Sequence, residues 1–284
     1  MEKFRKFMTK QGYGKRSITS YIECINIFLQ WMEIELLEIS KISYDDLLLY
    51  VDHLQKKGVA KGTSNMYLIA VQHYMRSLGM DITAIGKLRV RNTGSRIRIA
   101  NILPHADLVS LYGSFPTRTK YQKRYKVILG LIVFQALNTR DITTIKVSGI
   151  DIDKGQIRIP STRTSTNRTL ELNSKQVLSL HEFIEIRTEF VKSQSDSYDL
   201  FLTGAKRFQS VYGQLVGCLK KMDDSIQSCQ QIRASTIHHW LHLYSLREVQ
   251  HMCGHKYVSS TEAYLDSELE ELEDDLGSYH PLSN

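Results

Sequence analysis

The sequence predicts a mainly α-helical protein that carries one small antiparallel β-hairpin. Residues 17–33 place apolar side chains three and four positions apart, which is the spacing of one helix face. Residues 156–160 and 168–172 favour strands, and the seven residues between them, STRTSTN, form a polar turn. The chain has 284 residues, 42% of them hydrophobic, so it can build the cores of two domains.

The first 80 residues predict a helical bundle. The helical spacing of residues 17–33 recurs over 44–55 and 63–78, and Lys-Lys-Gly and Lys-Gly separate the segments. A bundle of about four helices fits this length. We therefore expect a first domain over residues 1–88.

A basic linker is predicted between residues 89 and 103. The segment RVRNTGSRIRIANILP holds four arginines, one glycine and a terminal proline, and it has little helical period. This segment either lies against a phosphate backbone or only connects two domains.

A second domain is predicted over residues 104–266. Its helices are expected at 104–113, 121–137, 174–192, 207–222, 231–243 and 245–253. Gly254 stands where a helix C-terminus favours glycine. Ser259 and Glu262 match the S-x-x-E capping box, which predicts a further helix with Tyr264 in its first turns.

The charge distribution favours a polyanionic partner. The net charge is +7. Residues 1–103 hold 16 Lys/Arg and 9 Asp/Glu, residues 104–260 hold 21 and 13, and residues 261–284 hold none and 8. Basic blocks favour nucleic acid because each neutralised phosphate releases counterions. The other interpretation is a solvated surface with a mild excess of charge.

The sequence gives no sign of export or of membrane insertion. It has no apolar run of about 18 residues, and its first ten residues lead into no hydrophobic signal core. The four cysteines show no C-x-x-C pair, so we expect reduced thiols. These features predict a cytoplasmic protein without a membrane partner.

Three residues near the C-terminus suit attack on a phosphodiester. Arg233 can hold two phosphate oxygens in a bidentate fork. His255 can exchange a proton near neutral pH. Tyr264 can form a covalent ester with phosphorus once its proton is removed.

The order and spacing of these residues resemble the tyrosine recombinase, or phage integrase, family. Gly254-His255 follows Arg233, and Tyr264 lies nine residues after the histidine. Cys-Gly-His resembles the family's usual Leu-Gly-His, and SSTEAY resembles its Ser/Thr-rich approach to the nucleophile. The resemblance covers nearly the whole chain. It implies a SAM-like helical core-binding domain, a basic linker and a mixed α/β catalytic domain.

The family cuts and rejoins double-stranded DNA without a metal or a cofactor, so we expect neither here. By resemblance, Tyr264 is the nucleophile that forms a 3′-phosphotyrosine, Arg233 binds the scissile phosphate, and His255 bonds the phosphate or moves protons. The resemblance also implies a homotetramer on DNA and a bacterial, nucleoid-associated enzyme of a mobile element. The acidic tail, residues 267–284, is expected to contact a neighbouring protomer.

The chain departs from the family at its first arginine. The family has Gly-Leu-Arg-x-x-Glu, and this chain has Ala-Leu-Asn-Thr-Arg-Asp at 136–141. Asn138 therefore takes the arginine position and Asp141 the acidic one. Arg140 comes two residues later, about 200° around a helix from the expected face.

Two further positions differ. The family's lysine on the β-hairpin is replaced by Arg163, which holds its proton too tightly to be a good general acid. Gln230 occupies the position three residues before Arg233 where the family usually has histidine. Either Arg140, Arg163 or Arg168 compensates, or the chain belongs to a divergent branch, or it binds DNA and cleaves poorly.

These alternatives leave three functions. The favoured one is site-specific recombination in integration, excision or transposition. The others are a DNA-binding accessory protein derived from a recombinase, and a type IB-like topoisomerase. The residues expected to contact DNA are Arg168, Arg89, Arg91, Arg96, Arg98, Lys15, Arg16 and Lys61. A zinc site at His238, His242, His251, Cys253 and His255 is a weaker alternative, because no second paired ligand set appears.

Overall fold

The computed structural model describes residues 1–80, 83, 86, 88–90, 102–190, 199–202 and 205–265. The chain divides into two compact units, residues 1–94 and 95–284. Within the described ranges, no helix combines the length and the apolar character needed to cross a bilayer.

The first unit is a bundle of helices. Its helices are α1 (Glu2–Lys10), α2 (Lys15–Ile34), α3 (Tyr44–Lys56) and α4 (Lys61–Ser77). The apolar faces of these helices meet in one core, where Phe28 and Tyr50 are wholly buried and pack edge to face with ring centroids 4.9 Å apart. A capping box starts α3, because Ser43 Oγ accepts from the Asp46 N–H and the Asp46 carboxylate accepts from the Ser43 N–H.

The second unit packs helices around a buried central helix and a small sheet. Its helices are α5 (His105–Ser114), α6 (Lys120–Val133), α7 (Thr139–Thr144), α8 (Ser174–Ile186), α9 (Ala205–Lys220), α10 (Cys229–Leu241), α11 (Leu246–Cys253) and α12 (Ser259–Glu262). Helix α6 is buried at every residue from Val127 to Val133. It packs against α5, α8 and α10, so it forms the centre of this unit.

The sheet has three antiparallel strands in the order β1 (Ile150–Asp151), β2 (Gln156–Ile159) and β3 (Arg168–Glu171). Ile157 lies opposite Leu170, and Ile159 lies opposite Arg168. Alternate residues of β2 and β3 are buried, as expected for a sheet with one face on the core. The predicted fold class, mainly helical with a small antiparallel sheet, is confirmed, while β1 was not predicted.

The predicted helix over 121–137 ends too late. Helix α6 stops at Val133, and Ala136 adopts a left-handed backbone with φ 48°. A left-handed residue cannot continue a right-handed helix. The chain therefore turns at Ala136, and α7 begins after Asn138.

Candidate active site

Arg233 is the centre of the candidate site. It lies on α10, which is buried on almost every side, and only 7% of the residue is exposed. Its Nε donates to the Ala136 carbonyl at 2.7 Å, and its Nη1 donates to Tyr264 Oη at 3.0 Å. Its Nη2 lies 3.1 Å from His255 Nε2. One guanidinium therefore holds both other residues of the predicted constellation.

His255 follows the left-handed Gly254 that ends α11. Gly254 has φ 69°, and a Cβ at this position would collide with the Arg168 guanidinium, so only glycine fits. Arginine can only donate, so His255 Nε2 accepts from Arg233 and the ring proton lies on Nδ1. Nδ1 then donates to Thr261 Oγ1 at 2.9 Å. Two partners thus fix both the tautomer and the ring orientation.

The electrostatic environment keeps His255 neutral. Burial, and after it the nearby charges of Arg233 and Arg168, lower the pKa of His255 to about 4. At neutral pH the imidazole therefore accepts a hydrogen bond at Nε2. A negatively charged phosphate at this place would raise the pKa of the ring again.

Tyr264 is buried beside the histidine. It is 6% exposed, and its ring lies nearly parallel to that of His255 with centroids 6.1 Å apart. Burial raises the pKa of Tyr264, while the Arg233 guanidinium opposes that rise. Arg233 thus stabilises the phenolate that a nucleophilic tyrosine must form.

The capping box predicted at Ser259 and Glu262 is wrong. Helix α12 spans Ser259–Glu262 itself, its N-cap is Val258, and no side chain caps it. Tyr264 follows α12, with its N–H bonded to the Thr261 carbonyl at 3.0 Å. The His255 bond to Thr261 ties this short helix to the site, so tertiary contact rather than a local cap fixes the approach to Tyr264.

Asn138 occupies a structural position. Its Oδ1 accepts from the N–H groups of Arg140 and Asp141, both at 2.9 Å, and so caps α7. Its Nδ2 donates to Asp141 Oδ2 at 2.8 Å. The side chain at the family's first-arginine position is therefore engaged within the protein. Arg140, the other candidate for that role, is exposed on α7.

Arg168 is held in the interior, which contradicts its predicted contact with DNA. Its side chain and that of Asp141 are both 0% exposed, and they form an ion pair of 2.8 Å. Arg168 Nε also donates to the Met252 carbonyl at 2.8 Å. Its Nη1 donates to the Thr166 carbonyl and its Nη2 to Asp141 Oδ2, so all three of its nitrogens are bonded within the protein, and the guanidinium joins β3 to α7 and α11.

The loop between β2 and β3 reaches the histidine. Ser165 pairs with His255 in an isolated antiparallel β-bridge, and the Thr166 N–H donates to the Gly254 carbonyl at 3.0 Å. Ser165 Oγ donates to Asp141 Oδ1 at 2.6 Å. Arg163 is exposed two residues before this bridge. The loop thus carries Arg163 close in sequence to a segment that is fixed at the site.

Gln230 lines a cleft of about 360 Å³ that leads to Arg233. Asn138, Thr139 and Tyr212 line the same cleft. Gln230 itself is exposed at the start of α10. The structure therefore places the two neutral replacements, Asn138 and Gln230, on one depression beside the arginine.

The other residues predicted to contact DNA lie between positions 15 and 98. Lys15, Arg16 and Lys61 are exposed in the first turns of α2 and α4. Arg89 is exposed, and its Nη1 donates to Gln72 Oε1 at 3.1 Å. Arg91, Arg96 and Arg98 lie outside the described residues.

Several residues that support the site carry no signal in the sequence. Ser165 and Thr261 hold the loop and the histidine, and the Ala136 carbonyl holds Arg233. These contacts join residues that are distant in sequence, so no local pattern marks them. Among the described residues, no group of three or more His, Cys, Asp and Glu side chains is arranged to hold a metal ion.

Comparisons with known proteins find matches to both units of the chain. A sequence model of the phage integrase family matches residues 101–271, and one of the phage integrase N-terminal SAM-like domain matches residues 1–82. The tyrosine recombinase XerC of Bacillus pumilus is 21% identical over 283 residues, covering 96% of this chain and 92% of that protein. The tyrosine recombinase XerA of Thermococcus kodakarensis is 20% identical over 277 residues, with the same two coverages.

Two solved structures share the fold. The XerH site-specific recombinase bound to its difH substrate matches with a TM-score of 0.67 at 15% identity, covering 96% of this chain and 83% of that one. The Tn1549 transposon integrase in complex with transposon right end DNA matches with a TM-score of 0.68 at 14% identity, covering 96% and 98%.

Proposed function

Because the chain belongs to the phage integrase family, we propose that it is a tyrosine recombinase that cuts and rejoins double-stranded DNA at specific sites. The observation that carries this proposal is the contact of one guanidinium with both Tyr264 Oη and His255 Nε2. It brings a nucleophile, a proton acceptor and a phosphate-binding group together in one buried place.

The reaction forms and breaks one bond to phosphorus in each step. Tyr264 Oη attacks the scissile phosphorus, the new O–P bond forms, and the bond from phosphorus to the 5′ oxygen breaks. The phenol loses its proton and the leaving oxygen gains one, which yields a 3′-phosphotyrosine and a free 5′-hydroxyl. Attack by another strand's 5′-hydroxyl reverses the step, so the reaction needs no external energy source.

Arg233 supplies the phosphate contact in this proposal. Its two Nη groups hold Tyr264 and His255, which supports a phosphate position within reach of all three side chains. A guanidinium fork can bond two nonbridging oxygens and stabilise the charge of the pentacoordinate transition state. When the phosphate takes the Nη2 donor, the lone pair of His255 Nε2 is released to accept a proton.

The direct test is covalent capture on a suicide duplex that loses its 5′-hydroxyl fragment after cleavage. Wild type should give a protein–DNA adduct on a denaturing gel, and Tyr264→Phe should give none. Tyr257→Phe is the matched control, because Tyr257 is 73% exposed and lies only seven residues away. An adduct with Tyr264→Phe, or its loss in Tyr257→Phe, would contradict the assignment.

A DNA-binding accessory role is the second candidate, and two observations favour it. The Asn138 side chain caps α7 and donates a hydrogen bond to Asp141, and Gln230 is an uncharged residue on the cleft. Losing one transition-state donor costs about two to three decades in rate. A single-turnover cleavage rate equal to that of Tyr264→Phe, with duplex binding intact, would support this role over recombination.

We further propose that four protomers assemble on paired DNA sites. The acidic residues 267–284, which lie outside the described part of the chain, would contact a neighbouring protomer. Analytical ultracentrifugation of the protein with its duplex should give a species of four chains and two duplexes. A species of one chain per duplex at all concentrations would rule out this assembly.

A further inference from the structure

Tyr212 carries a buried hydroxyl that lacks a good hydrogen-bond partner. The residue lies on α9 and is 9% exposed. Its Oη is covered and forms no hydrogen bond of standard geometry with any described residue, and the Thr139 side chain on the same cleft interacts with it only weakly. A buried polar group without a good hydrogen bond destabilises the fold, so native proteins rarely keep one without a reason.

The position of Tyr212 suggests the reason. It lines the cleft of about 360 Å³ together with Asn138, Thr139, Gln230 and Arg233. The other buried side-chain atoms without partners in the described residues are Tyr50 Oη, His105 Nδ1 and Arg124 Nε, and none of these residues lines that cleft. The unpaired hydroxyl therefore belongs to the depression beside the phosphate-binding arginine.

The other candidates for the role of the missing first arginine are bonded within the protein or lie off this cleft. Asn138 caps α7 and bonds Asp141, Arg168 is buried in its ion pair, and neither Arg140 nor Arg163, both exposed, lines the cleft. Tyrosine hydroxyls are among the groups that stabilise charge developing on oxygen. Tyr212 is thus the described side chain on this cleft that still has a buried donor to offer.

We propose that the Tyr212 hydroxyl donates a hydrogen bond to a nonbridging oxygen of the scissile phosphate, in place of the arginine absent at position 138. This inference rests on the proposed recombinase function and deepens it. Burial raises the pKa of Tyr212, and a weak hydrogen bond with Thr139 and the charge of Arg233 only oppose that rise, so the hydroxyl keeps its proton and remains a donor. The bond forms when the phosphate enters, since catalytic hydrogen bonds commonly tighten only in the substrate complex.

The test compares Tyr212→Phe with Tyr50→Phe. Tyr50 is the matched control, because its hydroxyl is also buried and unpaired but lies in the helical bundle of residues 1–94. Removing either hydroxyl breaks no hydrogen bond of standard geometry, so the thermal midpoint of neither variant should fall appreciably. Single-turnover cleavage of the suicide duplex should drop about 100-fold in Tyr212→Phe. Duplex affinity should stay at the wild-type value, and Tyr50→Phe should cleave at the wild-type rate.

A second substrate separates a phosphate contact from a general defect. On a duplex with an uncharged methylphosphonate at the scissile position, the rate loss of Tyr212→Phe should shrink, because less negative charge develops on the nonbridging oxygens. An undiminished loss there, or wild-type cleavage of the normal duplex by Tyr212→Phe, would overturn the inference. If wild type gives no Tyr264-dependent adduct, the proposed function itself fails and the inference falls with it.

Discussion

At the scale of single residues, the Arg233 guanidinium decides how the site is assembled. Its Nε is fixed on the Ala136 carbonyl, which leaves two Nη groups for Tyr264 and His255. Ala136 can offer that carbonyl because its left-handed φ of 48° ends α6 early. The phage integrase family has glycine at this position, and glycine adopts such a backbone at no steric cost.

The role of Asn138 gives a stability prediction. Asn138→Arg should lower the free energy of unfolding by about 1–2 kcal/mol, because it removes the cap of α7 and one donor to Asp141. Urea unfolding measures the change. Arg140→Ala is the control, and since Arg140 is exposed its effect should stay within about 0.5 kcal/mol. An Asn138→Arg variant as stable as wild type would show that the cap contributes nothing.

His255 should make stability depend on pH. Its pKa is about 4 in the folded protein, while an unfolded histidine titrates near 6.5. The unfolded chain therefore binds more protons between these values. The contribution of His255 to the free energy of unfolding is therefore complete above about pH 6.5 and is lost as the pH falls towards 4. Between pH 7 and pH 4.5, the free energy of unfolding measured in urea should fall less in His255→Gln than in wild type. The same pH dependence in both proteins would contradict this.

At the scale of elements, the Arg168–Asp141 ion pair connects β3, α7 and α11. Asp141 also accepts from Ser165 Oγ, on the loop that bridges to His255. Arg168 lies directly against Gly254, so the guanidinium shapes the turn that presents the histidine. The pair thus fixes the two segments that carry the first-arginine position and His255.

A double-mutant cycle tests this coupling. Asp141→Asn and Arg168→Met should each cost about 3–5 kcal/mol in unfolding free energy, because each leaves one buried charge unpaired. The double variant should lose clearly less unfolding free energy than the sum of the two single losses. The exposed pair of Lys56 and Asp52 is the control, and Asp52→Asn should cost no more than about 1 kcal/mol. Additive losses at 141 and 168 would mean that the two side chains are not coupled.

Local patterns predicted most of the elements, and distant contacts explain the failures. The spacing of Arg233, His255 and Tyr264 is readable because the three lie within 32 residues. The ion pair and the Arg233 bond to Ala136 join positions 27 and 97 residues apart, which no window of sequence reveals. The same limit explains the wrong roles expected for Arg168 and for the capping box at Ser259.

At the scale of the whole molecule, a helical unit and a mixed unit share one chain, and the second unit contains the complete candidate site. The family match over residues 101–271 covers that unit. In the proposed function, residues 136–264 carry the chemistry, while the basic residues exposed in the first unit are expected to hold DNA. We expect the altered positions 138, 163 and 230 to change the cleavage rate and not the identity of the nucleophile.

The central claim is that Tyr264 becomes bonded to phosphorus, and mass spectrometry of the trapped adduct tests it directly. Because no lysine or arginine follows Lys256, trypsin should release one peptide from Tyr257 to Asn284, which holds Tyr257, Tyr264 and Tyr279. After nuclease digestion, fragment ions should place the remaining phosphonucleotide on Tyr264. A modification on Tyr257, on Tyr279 or on any other peptide would contradict the account.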